Sequence, residues 1–321
     1  TYSKIKLGRK KMVERNFYRS PSMKNLFHYI QTSPHRSRSL LGIEYEQLSP
    51  LITYLQQLEA EFNAQQNARK IRVNAAGAGR PTRLSAETEI LLCLYYLRHY
   101  PTFEILGLTF EVSSSQAHAV THYWVQFLRQ ALPSSLCEEF EDCEVAWSVV
   151  TEMLAEWELI VDSTEQVRQR PGDSELQKQH YSGKKKQTTY KQSVIGLPDG
   201  SDIVDVTVAH PGPKADIRLF QQQQSQFRST QTFAGDKAYQ GAERTRTPHK
   251  KPKGRELSEA QIEANRIFAG ERIVIEHLMR HLKIFRAAKE IVRLRKDNYS
   301  EVVLAICGLV RLRLGAIELP V

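Results

Sequence analysis

The feature that most limits what this chain can fold into is a change of hydrophobic period near residue 157. Before it, apolar residues recur three and four apart, as on one face of a helix. After it they come in short runs broken by turn residues, as in strands. Leu48, Leu51, Ile52, Leu55, Leu58 and Phe62 mark a helix over 41–68. Ser85 is placed to cap a helix carrying Ile90, Leu91, Leu94, Tyr95 and Leu97. From 157 onward the reading changes. Trp157 to Val161 is a short strand ending at Asp162, and Thr188 to Leu197 is a second. Pro198-Asp199-Gly200-Ser201 is a hairpin turn from which Asp202 to Ala209 returns. A helix over Ala215 to Gln224 follows the break at Pro211-Gly212, and Thr232 to Gly235 is a strand leading to Asp236. Ser258 and Gln261 form a capping box for a helix to about Phe285, with an interruption expected near Gly270. A last helix is expected over Ser300 to Leu314. The sum is a mixed α/β domain with an antiparallel portion, behind an all-α region. A chain of 321 residues exceeds one small core, so two or three structural units are expected.

Charge is unevenly spread. Residues 1–40 hold ten Lys or Arg and one acid, which accounts for the whole formal charge of +9. From Glu138 to Glu165 there are ten acids and no Lys or Arg; from Lys237 to Lys296 there are sixteen Lys or Arg against seven acids. Two separate basic regions fit a polyanion held at more than one place, although a solvated tail and a charged helix surface would look the same. The longest apolar run, Val302 to Val310 with a glycine inside, is far short of the roughly 20 residues a membrane span needs. Four scattered cysteines without a Cys-x-x-Cys pair, and a start without an apolar leader, point to reduced thiols in the cytoplasm, on the nucleoid in a bacterium.

Residues 80–135 carry a more specific pattern. Pro101-Thr102 opens a short helix through Phe110, Glu111-Val112-Ser113 is a turn, and Ser113 caps a longer helix to about Leu132. That is the layout of a helix-turn-helix, although a plain helical hairpin shares it. The second helix would present Ser114, Ser115, Gln116, His118 and Ala119 to a major groove, where small and amide side chains reach base edges.

Three acids stand where chemistry could gather. Asp162 and Asp236 end strands and Glu276 lies on a helix, so all three can converge at one sheet edge. Hard oxygen donors suit Mg²⁺. Two such ions about 4 Å apart would activate a water or a 3′-hydroxyl and stabilise the leaving oxygen of an in-line displacement at phosphorus. Taken singly, each acid has a plainer reading, the two aspartates as turn or cap residues and Glu276 as a solvated helix acid. Arg272, Glu276, Arg280 and Lys283 share one helical stripe, beside an apolar stripe of Ile275, Leu278, Met279, Leu282 and Phe285. The stripe is either a salt-bridge ladder or a metal ligand flanked by phosphate-gripping cations. Asp216 is the reserve acid. His180, His210, His249, His277 and His281 are read as surface or phosphate-contact residues rather than metal ligands.

The spacing Arg272-x₃-Glu276-x₆-Lys283 resembles the signature around the last catalytic acid of DDE transposases, of the type named for insertion sequence five and its Harbinger relatives. Val161-Asp162-Ser163-Thr164-Glu165 resembles the first-aspartate strand of that family. Tyr181 to Lys186 with Tyr190-Lys191 resembles the next block, and Pro211-Gly212 with Asp216 and Phe220 its post-hairpin helix. Gly235 to Gly241 resembles the second-aspartate block, and Asn265-Arg266 precedes the glutamate helix. Two features depart: Ala269 stands where a tyrosine is frequent, and residues 1–40 match nothing in the pattern.

The resemblance, which covers about 80 to about 290, implies a ribonuclease-H-like catalytic domain preceded by a helix-turn-helix domain; the expected division is 80–135 for the helix-turn-helix, 136–156 for an acidic helical connector read from the charge, and 157–321 for the catalytic domain. It implies catalytic and metal-holding roles for Asp162, Asp236 and Glu276, with Mg²⁺ or Mn²⁺, two ions per site. It also implies cleavage of transposon ends followed by joining of a 3′-hydroxyl to target DNA. Double-stranded DNA is the expected partner. Ser114, Ser115, Gln116, His118, Lys184, Lys185, Lys237, Arg272, Arg280 and Lys283 are expected to contact it. On charge alone, Arg9, Lys10 and Lys11 of the 1–40 arm join them. Residues 41–79 are expected to help pair two copies into a homodimer or larger assembly. The alternatives are a transposase-derived DNA-binding protein without turnover, and a scaffold with no nucleic-acid role.

Overall fold

The computed structural model describes residues 26–69 and 84–320. Arg9, Lys10 and Lys11 therefore lie outside the described residues, as does most of the linker after residue 69.

The helical half comprises α1 (Leu26–Thr32), α2 (Ser37–Leu41), α3 (Tyr45–Arg69), α4 (Ala86–His99), α5 (Phe103–Phe110) and α6 (Ser114–Ala131). Ser85, Thr102 and Ser113 are the N-caps of α4, α5 and α6, each accepting from the backbone N–H three residues on. A cap of this kind is worth about 1 kcal/mol. The α5–α6 turn is tight. Glu111 adopts a left-handed φ of 58°, and a Cβ on Gly107 would lie 2.7 Å from the Val112 carbonyl oxygen. Only glycine lets the two helices approach so closely.

Two short helices, α7 (Leu136–Phe140) and α8 (Glu144–Leu154), make up the acidic segment and lead into the sheet. The strands are β1 (Glu158–Val167), β2 (Tyr181–Ser182), β3 (Gln187–Gly196), β4 (Ile203–Pro211), β5 (Thr232–Ala234) and β6 (Thr245–Arg246). Helix α9 (Ser174–His180) precedes β2, and α10 (Asp216–Gln224) lies between β4 and β5. Helices α11 (Glu259–Lys283) and α12 (Lys296–Leu314) follow the last strand. β3 pairs antiparallel with β1 and with β4, while β5 runs parallel to β1 and β6 parallel to β5. The order β4-β3-β1-β5-β6, an antiparallel meander continued by two parallel strands, is the ribonuclease-H-like arrangement, with β2 extending the edge beside β3.

The sheet is covered on both faces. Leu159, Val161, Ile195, Phe220 and Phe233 pack with α7, α8 and α10 on one side. Ile160, Val194, Ile203 and Ala234 join α11 and α12 on the other. That second core runs without a break into the helical half, taking in Leu48, Leu94 and Trp124. Helix α12 is the hinge of this packing: a Cβ on Gly308 would stand 2.4 Å from the Leu132 carbonyl oxygen, so the helix lies almost backbone to backbone against the end of α6.

The structure corrects four expectations. β1 does not stop at Asp162: its ladder with β3 runs on from Ile160↔Gly196 to Val167↔Thr189, because backbone pairing continues after the apolar run ends. Helix α11 is unbroken at Gly270, where an added Cβ would meet nothing; an exposed glycine weakens a helix by about 1 kcal/mol without ending it. Helix α12 begins at Lys296 rather than Ser300. The apolar stripe of α3 is not a free face for pairing two copies, since Leu48, Leu51 and Leu55 are fully buried in this chain's own core.

Candidate active site

Asp162 and Asp236 are brought together by the parallel β1–β5 pair. Ile160 is opposite Ala234, and each aspartate lies two residues beyond that pair, so the two carboxylates leave neighbouring strands at the same level. Parallel neighbours are about 4.8 Å apart. Asp162 shares a strand face with Ile160, which packs in the core with Ile275 and Leu278 of α11. That shared face turns Asp162 toward the helix carrying Glu276. Asp162 and Glu276 line one cleft of about 430 Å³, together with Met279, Arg280, Lys283 and Lys289. Burial of Ile275, Leu278, Met279 and Leu282 fixes the rotation of α11 and leaves Glu276, Arg280 and Lys283 exposed to solvent.

The electrostatics are those of a partly buried acid in a cationic rim. Burial raises the Asp162 carboxyl above the ordinary carboxylate range; the Asp236 charge raises it further, while the Ser163 N–H, Arg272 and Lys283 oppose the rise. Arg272 lies inward, its Nη2 4.0 Å from Asp162 Oδ1 and its side chain 15% exposed. From this placement its charge balances that of Asp162. Its Nε is buried with no hydrogen-bond partner.

The carboxylates are also held locally. Asp162 Oδ1 accepts from the Ser163 N–H at 2.9 Å, and Asp236 Oδ1 accepts from the Ala238 N–H at 2.8 Å as the cap of a 3₁₀ turn. Among the described residues, no group of three His, Cys, Asp or Glu side chains is close enough to hold an ion jointly. Asp162 and Glu276 therefore face one cleft, Asp236 lies beside Asp162 outside its lining, and the three do not close into a cage. As donors they are all hard oxygens, which suits Mg²⁺ or Mn²⁺ and not a soft metal.

Asp216 has a different occupation. Its Oδ1 accepts from Ser163 Oγ at 2.7 Å and pairs with Lys191 Nζ at 2.7 Å. Lys191, 7% exposed, also donates to the Lys214 carbonyl at 2.6 Å and lies 3.9 Å from Glu165, which Thr189 Oγ1 in turn bonds at 2.9 Å. This network clamps β1, β3 and the start of α10 directly behind Asp162. Sequence reasoning placed Lys191 and Asp216 in family-like blocks without seeing that they pair, since 25 residues and a hairpin separate them. Lys289 was missed as a cleft residue because it belongs to no periodic pattern.

The expected DNA-contacting residues divide between two regions. Ser114, Ser115 and His118 are exposed at the start of α6 and Gln116 is half-buried. The His118 ring also stands edge-on to Phe103, with centroids 4.8 Å apart. Lys184 and Lys185 are exposed in the β2–β3 turn, and Lys237 is exposed beside Asp236. His180 bonds the Leu176 carbonyl through Nδ1 and stands edge-on to Tyr190. No described helix is long and apolar enough to cross a membrane.

Comparison with known proteins adds the family context. Residues 161–311 match the model of the DDE superfamily endonuclease, and residues 82–134 that of the helix-turn-helix of DDE superfamily endonuclease. A probable transposase for insertion sequence element IS702 from Microchaete diplosiphon is 31% identical over 228 residues, 69% of this chain and 78% of that protein. Among solved structures, a pre-cleavage Mos1 transpososome shares 12% identity over 72% of this chain and 86% of that one, with a TM-score of 0.19. A Mos1 transposase paired-end complex with left transposon end shares 14% over 74% and 88%, also at a TM-score of 0.19. Superpositions this loose carry no weight for fold or site.

Proposed function

The chain belongs to the DDE superfamily endonucleases, and from that premise we propose that it is a DNA transposase that cleaves transposon ends and joins them to target DNA. The observation that carries this reading is the cleft shared by Asp162 and Glu276, rimmed by Arg280, Lys283 and Lys289, with Asp236 just past the end of the neighbouring strand β5. Asp162, Asp236 and Glu276 would hold two Mg²⁺ or Mn²⁺ ions, which when bound supply an activated water or 3′-hydroxyl and a stabilised leaving oxygen.

The chain's own residues do the rest. Arg280, Lys283 and Lys289 offer cations to the phosphates flanking the scissile bond, and Arg272 balances the Asp162 charge from behind. The Lys191–Asp216–Ser163 network keeps β1 rigid, so that Asp162 is presented at a fixed height beside Asp236. Ser114, Ser115, Gln116 and His118 read terminal inverted repeats in the major groove. Lys184, Lys185 and Lys237, with Arg9, Lys10 and Lys11, contact phosphates. Joining two ends needs at least two copies on DNA.

The test is cleavage of labelled element ends with Mg²⁺ or Mn²⁺. Asp162→Asn, Asp236→Asn and Glu276→Gln each reduce nicking to background while gel-shift binding persists. Undiminished cleavage by Asp236→Asn removes that residue from the site. A second reading, a sequence-specific DNA-binding protein without turnover, is favoured by the absence of a joint carboxylate cluster among the described residues. Salt-dependent binding with no nicking under either metal would select it.

A further inference from the structure

Helix α8 has two apolar faces. Trp147, Val150 and Leu154 pack inward against the sheet, as a helix covering a core should. The opposite stripe, Val145, Val149 and Met153, at four-residue intervals, is 76%, 54% and 63% exposed, and Trp157 continues it at 53%. Beside the stripe is a cavity of about 280 Å³ walled by Leu136, Val150, Met153, Trp157, Leu197 and Pro198. A contiguous exposed apolar strip with a groove beside it is a docking surface more often than ordinary surface.

The rim identifies the chemistry of its occupant. Glu141, Asp142, Glu144 and Glu156 are exposed and form no ion pair among the described residues. Glu152 has one exposed partner, Arg228, at 3.2 Å. No Lys or Arg occurs from 138 to 165. The occupant must be apolar and strongly basic. One segment of this chain has that composition. Residues 1–25 carry Lys4, Lys6, Arg9, Lys10, Lys11, Arg15, Arg19 and Lys24 against Glu14 alone, with Ile5, Leu7, Met12, Val13, Phe17, Tyr18 and Met23 interleaved.

Reach is no obstacle. Twenty-five residues span up to about 85 Å when extended. A compact chain of this length has a radius of gyration of about 20 Å. Tethering to Leu26 also gives the segment a millimolar-scale effective concentration at any surface it can reach.

We propose that residues 1–25 dock along the acidic, apolar face of α8 in the same molecule, their Phe17, Tyr18, Met12 and Val13 side chains filling the Trp157 groove while the lysines and arginines face Glu141, Asp142, Glu144, Glu152 and Glu156. Docked there, Arg9, Lys10 and Lys11 are neutralised by carboxylates and withheld from phosphate. The proposal does not rest on the catalytic reading, since it needs only the surface of α8 and the composition of the segment.

The test is zero-length carbodiimide cross-linking of the full chain at low salt, mapped by mass spectrometry. Expected are links from Lys4, Lys6, Lys10, Lys11 or Lys24 to Glu144, Glu152 and Glu156, in preference to the equally exposed Glu175 and Glu259. The double variant E152K/E156K lowers the yield of the remaining links to Glu144 about tenfold, and about 1 M salt removes all of them. The variant V149S/M153S keeps every charge and still lowers the yield, since it removes the apolar half of the contact. Both variants change exposed side chains, and an unshifted melting temperature verifies the fold. Yields that do not differ between α8 and the control acids, or a Glu144 yield unchanged in E152K/E156K, overturn the proposal. In a mixture of isotopically light and heavy chains, links found only between the two labels overturn it in favour of a second copy. Links that persist under saturating duplex DNA uphold the docking and remove Arg9, Lys10 and Lys11 from the DNA contacts.

Discussion

Arg311 offers the sharpest test of how the two halves are joined. Its guanidinium is completely buried on α12, yet it is fully engaged. Nε and Nη2 donate to the two carboxylate oxygens of Asp202 at 2.6 and 2.9 Å, Nη2 also to Glu139 at 2.7 Å, and Nη1 to the Pro133 carbonyl at 3.0 Å. One side chain therefore ties the hairpin before β4, the acidic helix α7 and the segment that ends the helix-turn-helix unit. Arg311→Leu leaves Asp202, itself 5% exposed, as a buried carboxylate without a cation. Removing one member of a buried pair costs about 3–5 kcal/mol. Whole-protein stability is only about 5–15 kcal/mol. At about 2–4 °C per kcal/mol for larger domains, the melting temperature should fall by roughly 6–20 °C. Thermal scans by circular dichroism, with urea midpoints as a second measure, read this directly. The double variant R311L/D202L is the control: replacing both charges by apolar groups is often neutral, so it should recover most of the loss. A single-variant shift under about 2 °C, or a double variant as unstable as the single, would refute the claim that the pair, rather than packing alone, holds this junction.

Other expectations follow from single contacts. Gly308→Val forces side-chain atoms against the Leu132 backbone, and overpacking of this kind costs about 1–3 kcal/mol, measurable as a lower urea midpoint. Lys191→Met leaves Asp216 and Glu165 facing each other without their cation. It should lower stability by about 3 kcal/mol and slow end cleavage through misplacement of β1, with gel-shift affinity for DNA unchanged. His122 has its pKa pushed down to about 4, first by burial and then by the neighbouring His118. The unfolded chain therefore takes up the proton first, and stability is lost as pH falls from about 6.5 toward 4, by on the order of 1–3 kcal/mol. His122→Gln should flatten that part of the melting-temperature profile, and parallel profiles for the two proteins would contradict it.

The helical half was legible because its signals are local. The capping serines, the turn at Glu111 to Ser113 and the three-and-four spacing of Leu91, Leu94, Trp124 and Leu128 depend on neighbours within a turn or two, and helices appear where these signals place them. The capping box at Ser258 with Gln261 worked for the same reason. Element ends were less legible, since they depend on partners. β1 extends past Val161 only because β3 continues opposite it. Gly270 does not interrupt α11 because the flanking turns supply the helical ladder on both sides.

What the sequence by itself determined is the order of the main elements and the uneven charge, and it offered three candidate acids, because composition and period survive without coordinates. What only the tertiary structure decided is who faces whom. The β1–β5 register sets Asp162 beside Asp236, burial of one face of α11 aims Glu276 at the same cleft, and Arg272 turns inward to Asp162 instead of outward. The stripe of α3 is consumed in the chain's own core, while the second face of α8 stays bare. The physical reason is that hydrophobic burial is non-directional: a sequence shows that a face is apolar, and only the packed chain shows which apolar faces find each other and which are left over.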